Sequence, residues 1–152
     1  MGLNIGDKIP DFRLSDQNGE TFDINSVKGK KTLVIYFYPK NFTPGCTKEA
    51  CSFRDHYEEF LNFGALVIGI SSDSKKSHRQ FAEKHQLPFT LLSDPNGIVK
   101  RKFRVKNNLF GLIPGRETFV VNKEGIVIFT FNSMNAQQHI KEALKVIKQQ
   151  TD

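Results

Sequence analysis

The stretch Thr32-Leu33-Val34-Ile35-Tyr36-Phe37-Tyr38-Pro39-Lys40-Asn41-Phe42-Thr43-Pro44-Gly45-Cys46-Thr47-Lys48-Glu49-Ala50-Cys51 decides how this chain is read. Its first seven residues are continuously apolar, β-branched or aromatic, as expected of a central strand buried on both faces. Pro39 ends the strand, because proline brings no N–H to a ladder. Thr-Pro-Gly then forms a turn. From about 46 to 63 the residues Ala50, Phe53, Tyr57, Phe60 and Leu61 recur at helical steps. Sheets flanked by helices place their sites at the carboxyl ends of such strands. Cys46 lies at that junction. A helix N-terminus favours negative charge, and the thiolate rather than the thiol is the nucleophile, so the position favours an ionised sulfur.

The remaining pattern extends outward from this unit. Asp16-Gln17-Asn18-Gly19 between two short β-type runs predicts an N-terminal hairpin. Gly64 stands where a helix C-cap belongs. A second buried strand is expected over 65–71, then a helix over 74–86 capped by Ser74 or Ser77. A short strand at 89–92 precedes the turn Asp94-Pro95-Asn96-Gly97 and a short helix. A second hairpin, 117–121 with 126–131, and an amphipathic helix over 136–148 close the chain. Alternating strands and helices predict an α/β architecture, a mixed central sheet flanked by helices. At 152 residues, residues 1–152 are expected to form one domain.

Composition bounds the function. Hydrophobic residues make up 38% and charged residues 25%, which is globular and not disordered. The net charge of +6 permits acidic partners. Its densest cluster, Lys100, Arg101, Lys102, Arg104 and Lys106, is interrupted by Phe103 and Val105 and is expected to be a solvated basic face. No nucleic-acid motif accompanies it. No run reaches the roughly 18 apolar residues of a membrane span, and the N-terminus lacks a signal-peptide pattern. A cytoplasmic location is expected, or a plastid one if a transit peptide has been removed. Gly29-Lys30-Lys31-Thr32 lacks the earlier glycine of a phosphate loop. No flavin, haem or metal set is visible, so no cofactor is expected.

Cys46 and Cys51 are the only cysteines. Four readings stand: a metal site, a dithiol oxidoreductase, inert buried thiols, and a peroxide-reacting cysteine with a partner. A zinc site wants about four ligands, and His56 supplies no second close pair. The spacing is wider than the CxxC of a thioredoxin-type dithiol. Positions five apart in an ideal helix have Cα atoms roughly 8 to 9 Å apart, pointing about 140° apart. A disulfide wants its Cα atoms within about 7 Å. The two sulfurs could bond only if the first turns unwound, which predicts a two-state segment over 43–53.

At these residues the chain resembles the peroxiredoxins. Their loop Pro-x-x-x-Thr-x-x-Cys is present as Pro39 to Cys46, and its continuation is similar to the atypical two-cysteine branch called bacterioferritin comigratory protein or peroxiredoxin Q. The similarity runs from Gly6-Asp7-Lys8-Ile9-Pro10-Asp11-Phe12 to Leu109-Phe110-Gly111-Leu112-Ile113-Pro114-Gly115-Arg116-Glu117-Thr118-Phe119. The resemblance implies a thioredoxin-like fold and a peroxidase acting on hydrogen peroxide and organic hydroperoxides. Cys46 would attack the peroxide and Cys51 would resolve the sulfenic acid as an intramolecular disulfide. Thr43 would hydrogen-bond the peroxide or thiolate, Pro39 would shield the sulfur, Arg116 would be the active-site arginine, and Glu49 would support it. A thioredoxin-like dithiol would return the electrons, and a monomer would suffice. The other reading kept open is a peroxide-responsive redox switch with little turnover. Read alone, Arg116 is a surface arginine, Thr43 an N-cap, Pro39 a strand terminator and Glu49 a first-turn acid. His56, His78, His85 and His139 are expected in surface or packing roles.

Overall fold

The computed structural model describes residues 2–106, 116–132 and 136–150. The elements are β1 (Arg13–Asp16), β2 (Thr21–Asp23), β3 (Thr32–Phe37), α1 (Pro44–Asn62), β4 (Ala65–Ser71), α2 (Lys75–His85), β5 (Thr90–Ser93), α3 (Ile98–Lys102), β6 (Glu117–Val121), β7 (Val127–Phe131) and α4 (Ala136–Gln150). Seven strands form one mixed sheet in the order β2-β1-β5-β4-β3-β6-β7. The central strands β3, β4 and β5 are parallel, and the hairpins β1–β2 and β6–β7 add antiparallel edges on either side.

Every residue of β3 is buried, because both of its faces are covered. Alternate side chains point to opposite faces. Val34, Tyr36 and Tyr38 join Ala50, Phe53 and Phe60 of α1, Phe81 of α2, and Ile140, Leu144 and Ile147 of α4 in one core. Leu33, Ile35 and Phe37 face a second core built from Leu3, Ile9, Phe12, Val99 of α3 and Phe103. Burying each such side chain contributes about 1.5–3 kcal/mol. Gly69 of β4 makes room for the first core: a Cβ there would lie 2.8 Å from the Tyr36 ring. That ring stacks on Phe53 at 4.6 Å, which seats α1 over the sheet.

The expected elements are present with small shifts at their ends. Helix α1 begins at Pro44, two residues before the expected start, because proline fits the first helical turn where its missing N–H is not needed. Cys46 is therefore inside the first turn. Gly64 has φ +75° just beyond the α1 C-cap, and Ser74 rather than Ser77 caps α2 by accepting from the Ser77 N–H at 3.1 Å. The basic cluster lies on and after α3, with Val99, Phe103 and Val105 buried between exposed Arg101, Lys102, Arg104 and Lys106. Among the described residues no helix is long and apolar enough to cross a membrane.

Candidate active site

The loop between β3 and α1 is pinned to α2 and the sheet before it reaches the sulfur. Tyr38 Oη donates to Asn41 Oδ1 at 2.6 Å, and the Asn41 N–H donates to Asp73 Oδ2 at 2.8 Å. Asn41 Nδ2 lies 3.1 Å from Ser77 Oγ and 2.9 Å from His78 Nδ1. His78 Nε2 is 3.0 Å from the Leu92 carbonyl, which can only accept. His78 therefore carries its proton on Nε2 and accepts from Asn41 at Nδ1. Burial holds its pKa below the usual value, against the opposing pull of Asp73. The next residue, Phe42, has φ +67°, a left-handed conformation costing of the order of 1 kcal/mol outside glycine. Its half-exposed ring packs edge-on against Phe81 at 5.1 Å.

Thr43 is the N-cap of α1, yet its hydroxyl makes no cap bond; Oγ1 donates to the Lys40 carbonyl at 2.8 Å. The Thr43 carbonyl accepts the Thr47 N–H at 2.9 Å. The backbone N–H groups of the first turn have no partner within the helix and concentrate partial positive charge there. Cys46 sits in that turn with 1% of its surface exposed. Pro39 is half-buried at the far end of the loop and lines a 360 Å³ cavity with Phe37, Tyr38, Ile70 and Asp94.

Arg116 reaches the sulfur from 70 positions along the chain, and sheet register explains how. Glu117 of β6 pairs with Phe37, the last residue of β3, so Arg116 lies just past the carboxyl end of the central strand. Its Nη2 donates to Cys46 Sγ at 3.3 Å, and its Nη1 donates to Glu49 Oε1. Glu49 follows Cys46 by three positions, which puts both on one helix face. All three side chains are buried. Burial pushes the Glu49 carboxyl up to about 8, even though Arg116 pulls the other way. Burial also works against the charge of Arg116, but Glu49 and Cys46 beside it keep the guanidinium charged. Gly45 permits this approach, since a Cβ there would lie 3.2 Å from Nη2. A fixed cation and a helix N-terminus both stabilise negative charge at one buried sulfur, and a fork of donors stands ready for a developing oxyanion.

The AhpC/TSA family profile matches residues 5–130. The chain is 47% identical to a chloroplastic peroxiredoxin Q of Populus jackii over 96% of its own length and 68% of that protein. The chain belongs to the peroxiredoxin Q branch of the AhpC/TSA family. Among solved structures, peroxidoxin BcpB of Mycobacterium tuberculosis is 36% identical and superposes with a TM-score of 0.89 over 97% of each chain. The bacterioferritin comigratory protein of Xanthomonas campestris, described for its alkyl peroxide reduction activity, is 34% identical with a TM-score of 0.84 over 93% and 92%. The peroxiredoxin Q fold is thus thioredoxin-like, with the N-terminal hairpin on its sheet edge.

The structure brings Cys46, Arg116 and Glu49 into direct contact. Cys51 lies further along the same helix, half-buried, and both cysteines are free. The part of the arginine motif at 109–115 lies outside the described residues. Three contributions were not anticipated from sequence: the space at Gly45, the Asn41–His78 tie, and His139 of α4. His139 is fully buried, with Nδ1 2.5 Å from Thr118 Oγ1 and 3.7 Å from Glu49 Oε2. Its place in an apolar-patterned helix signalled core packing, and nothing local pointed to a carboxylate on α1.

Proposed function

We propose that this peroxiredoxin reduces hydrogen peroxide and alkyl hydroperoxides with Cys46 as nucleophile, Cys51 as resolving thiol, and a thioredoxin-like dithiol as reductant. The thiolate of Cys46 attacks one peroxide oxygen. The O–O bond breaks, the sulfur takes that oxygen as sulfenic acid, and the other oxygen leaves as hydroxide or alkoxide and gains a proton. The Cys51 thiol then attacks the sulfenic sulfur, forms the S–S bond and releases water. An external dithiol reduces the disulfide by exchange.

The observation that carries this reading is Arg116 Nη2 at 3.3 Å from a buried sulfur in the first turn of a helix. The guanidinium stabilises both the attacking thiolate and the departing oxygen. Thr43, at the N-cap, turns its hydroxyl from the Lys40 carbonyl toward bound peroxide, and Pro39 limits water at the loop's outer end. Glu49 holds the arginine. Both cysteines lie on α1, so the disulfide requires its first turns to unwind, which also releases Cys46 from Arg116. Resolution stays within one chain, which acts as one domain and as a monomer. The chloroplastic relative favours the plastid over the cytoplasm as the place of action.

Peroxide consumption coupled to thioredoxin and its reductase tests the assignment. Cys46→Ser abolishes turnover; a Cys46→Ser protein with normal turnover would show that the nucleophile is elsewhere. A switch protein would consume a single equivalent and stop.

A further inference from the structure

Glu49 Oε2 and Arg116 Nε are fully buried and lack a hydrogen-bond partner among the described residues. The polar group facing Glu49 Oε2 is His139, whose Nδ1 is 3.7 Å away, at ion-pair distance. We infer that His139 is a positioning residue for the peroxidase reaction: its imidazole and the Glu49 carboxyl together carry one proton beyond the neutral imidazole's own, so the carboxyl grips Arg116 without drawing its charge away from Cys46. The inference rests on the peroxidase reading above.

Charge counting carries the argument. Among the described residues, the titratable and charged groups around Glu49 are Cys46 of its own helix, Tyr36 and Tyr38 from β3, Arg116 leading into β6, and His139 from α4. Burial pushes both phenols well above their usual pKa, so they stay neutral. With the sulfur ionised, a bare carboxylate would leave the buried set with one net negative charge around a single guanidinium. An uncompensated charge in the interior is strongly destabilising. One proton on the Glu49–His139 pair brings the set to neutrality, whichever of the two partners carries it. Arg116 then remains the full counter-charge of the thiolate.

The geometry puts two proton-binding groups at ion-pair distance, where a proton on either one compensates the carboxyl's charge. Thr118 Oγ1 stands 2.5 Å from the same Nδ1 and fixes the ring plane, and the Phe131 ring meets the imidazole edge-on at 4.7 Å. These contacts hold His139 facing the carboxyl from a different layer of the fold. The raised pKa of Glu49, about 8, is in keeping with a proton retained at this place.

The test is single-turnover oxidation by hydrogen peroxide across a pH series, in a Cys51→Ser background where one oxygen added to Cys46 is read by quenched mass spectrometry. Loss of the pair's extra proton shares the guanidinium charge, so the rate falls on the alkaline side. His139→Gln removes one of the proton's two sites, and the alkaline fall moves about one unit lower, a tenfold change in proton affinity. In a Glu49→Gln background the same substitution changes the rate by less than about twofold, because His139 acts through Glu49. Superposable profiles for the His139→Gln and parent proteins, or an equal effect in the Glu49→Gln background, would overturn the inference. Should His139→Gln fail to fold, the Glu49 carboxyl carbon and His139 ring nitrogens of the unaltered protein are followed by NMR. A protonated carboxyl beside a neutral imidazole, or a carboxylate beside an imidazolium, between about pH 6 and 8 supports it, and an ionised carboxylate beside a neutral imidazole overturns it. Absence of any added oxygen in the parent would instead refute the peroxidase reading.

Discussion

Replacing Arg116 by glutamine removes the cation that, among the described residues, touches the sulfur. At 3.3 Å and an effective dielectric of about 20, the guanidinium and a thiolate interact by roughly 5 kcal/mol. Part of that is offset by the desolvation of both groups in the unreacted site. What remains for the reaction is the portion felt by the charge leaving on oxygen. Removing one donor from an oxyanion site lowers rates by about 10²- to 10³-fold. Arg116→Gln is therefore expected to slow Cys46 oxidation by that factor. Arg116→Lys, which keeps the charge but loses the fork that spans Sγ and Glu49, falls between the two. The fold should survive, because a Glu49 carboxyl left alone takes up a proton. The chain has no Trp, so oxidation is followed by rapid quench and intact mass rather than by indole fluorescence. An Arg116→Gln protein oxidised within about threefold of the parent rate would refute the role of the arginine, since threefold is under 1 kcal/mol.

Three further outcomes follow from the same geometry. Cys51→Ser keeps the first oxidation but loses thioredoxin-linked turnover, and repeated peroxide drives its Cys46 to sulfinic acid, read as two added oxygens. Gly45→Ala puts a Cβ 3.2 Å from Arg116 Nη2 and slows Cys46 oxidation about tenfold with little change in melting temperature, as measured by quenched mass and calorimetry. Glu49 binds its proton more tightly folded, at about 8, than at its ordinary 4.5. Its stabilising share is therefore full below about 4.5 and lost as pH rises through about 8. Glu117, pushed up to about 7 by burial, acts in the same direction. Denaturant unfolding of Glu49→Gln should show a flatter decline over that window than the parent protein.

The fold was largely legible because its decisive elements are local. The run at 32–38 is continuously apolar, β-branched or aromatic and ends at Pro39, and that composition at that length favours a strand covered on both faces over a buried helix. Gly19 and Gly64 marked a turn and a helix end because their left-handed backbone geometry, φ +80° and +75°, is rarely available to other residues. Cys46 and Glu49 could be placed on one face from helical periodicity. Arg116 was different: nothing near it signals a thiol, and the family motif alone singled it out. Its approach depends on the antiparallel pairing of β6 with β3, a contact across some 80 positions that local pattern does not encode. The same holds for His139, whose helix reads as ordinary core packing. The Asn41–His78 tie was also hidden, since Asn41 looks like a turn residue, its partners Ser77 and His78 come from α2, and His78 is in turn fixed by the Leu92 carbonyl of β5.

The most direct measurement is the intact and peptide mass of the reduced protein after one equivalent of hydrogen peroxide. A loss of two hydrogens, with the peptides carrying Cys46 and Cys51 joined to each other, is the expected result. An unchanged mass, or oxygen added anywhere other than Cys46, would contradict the account.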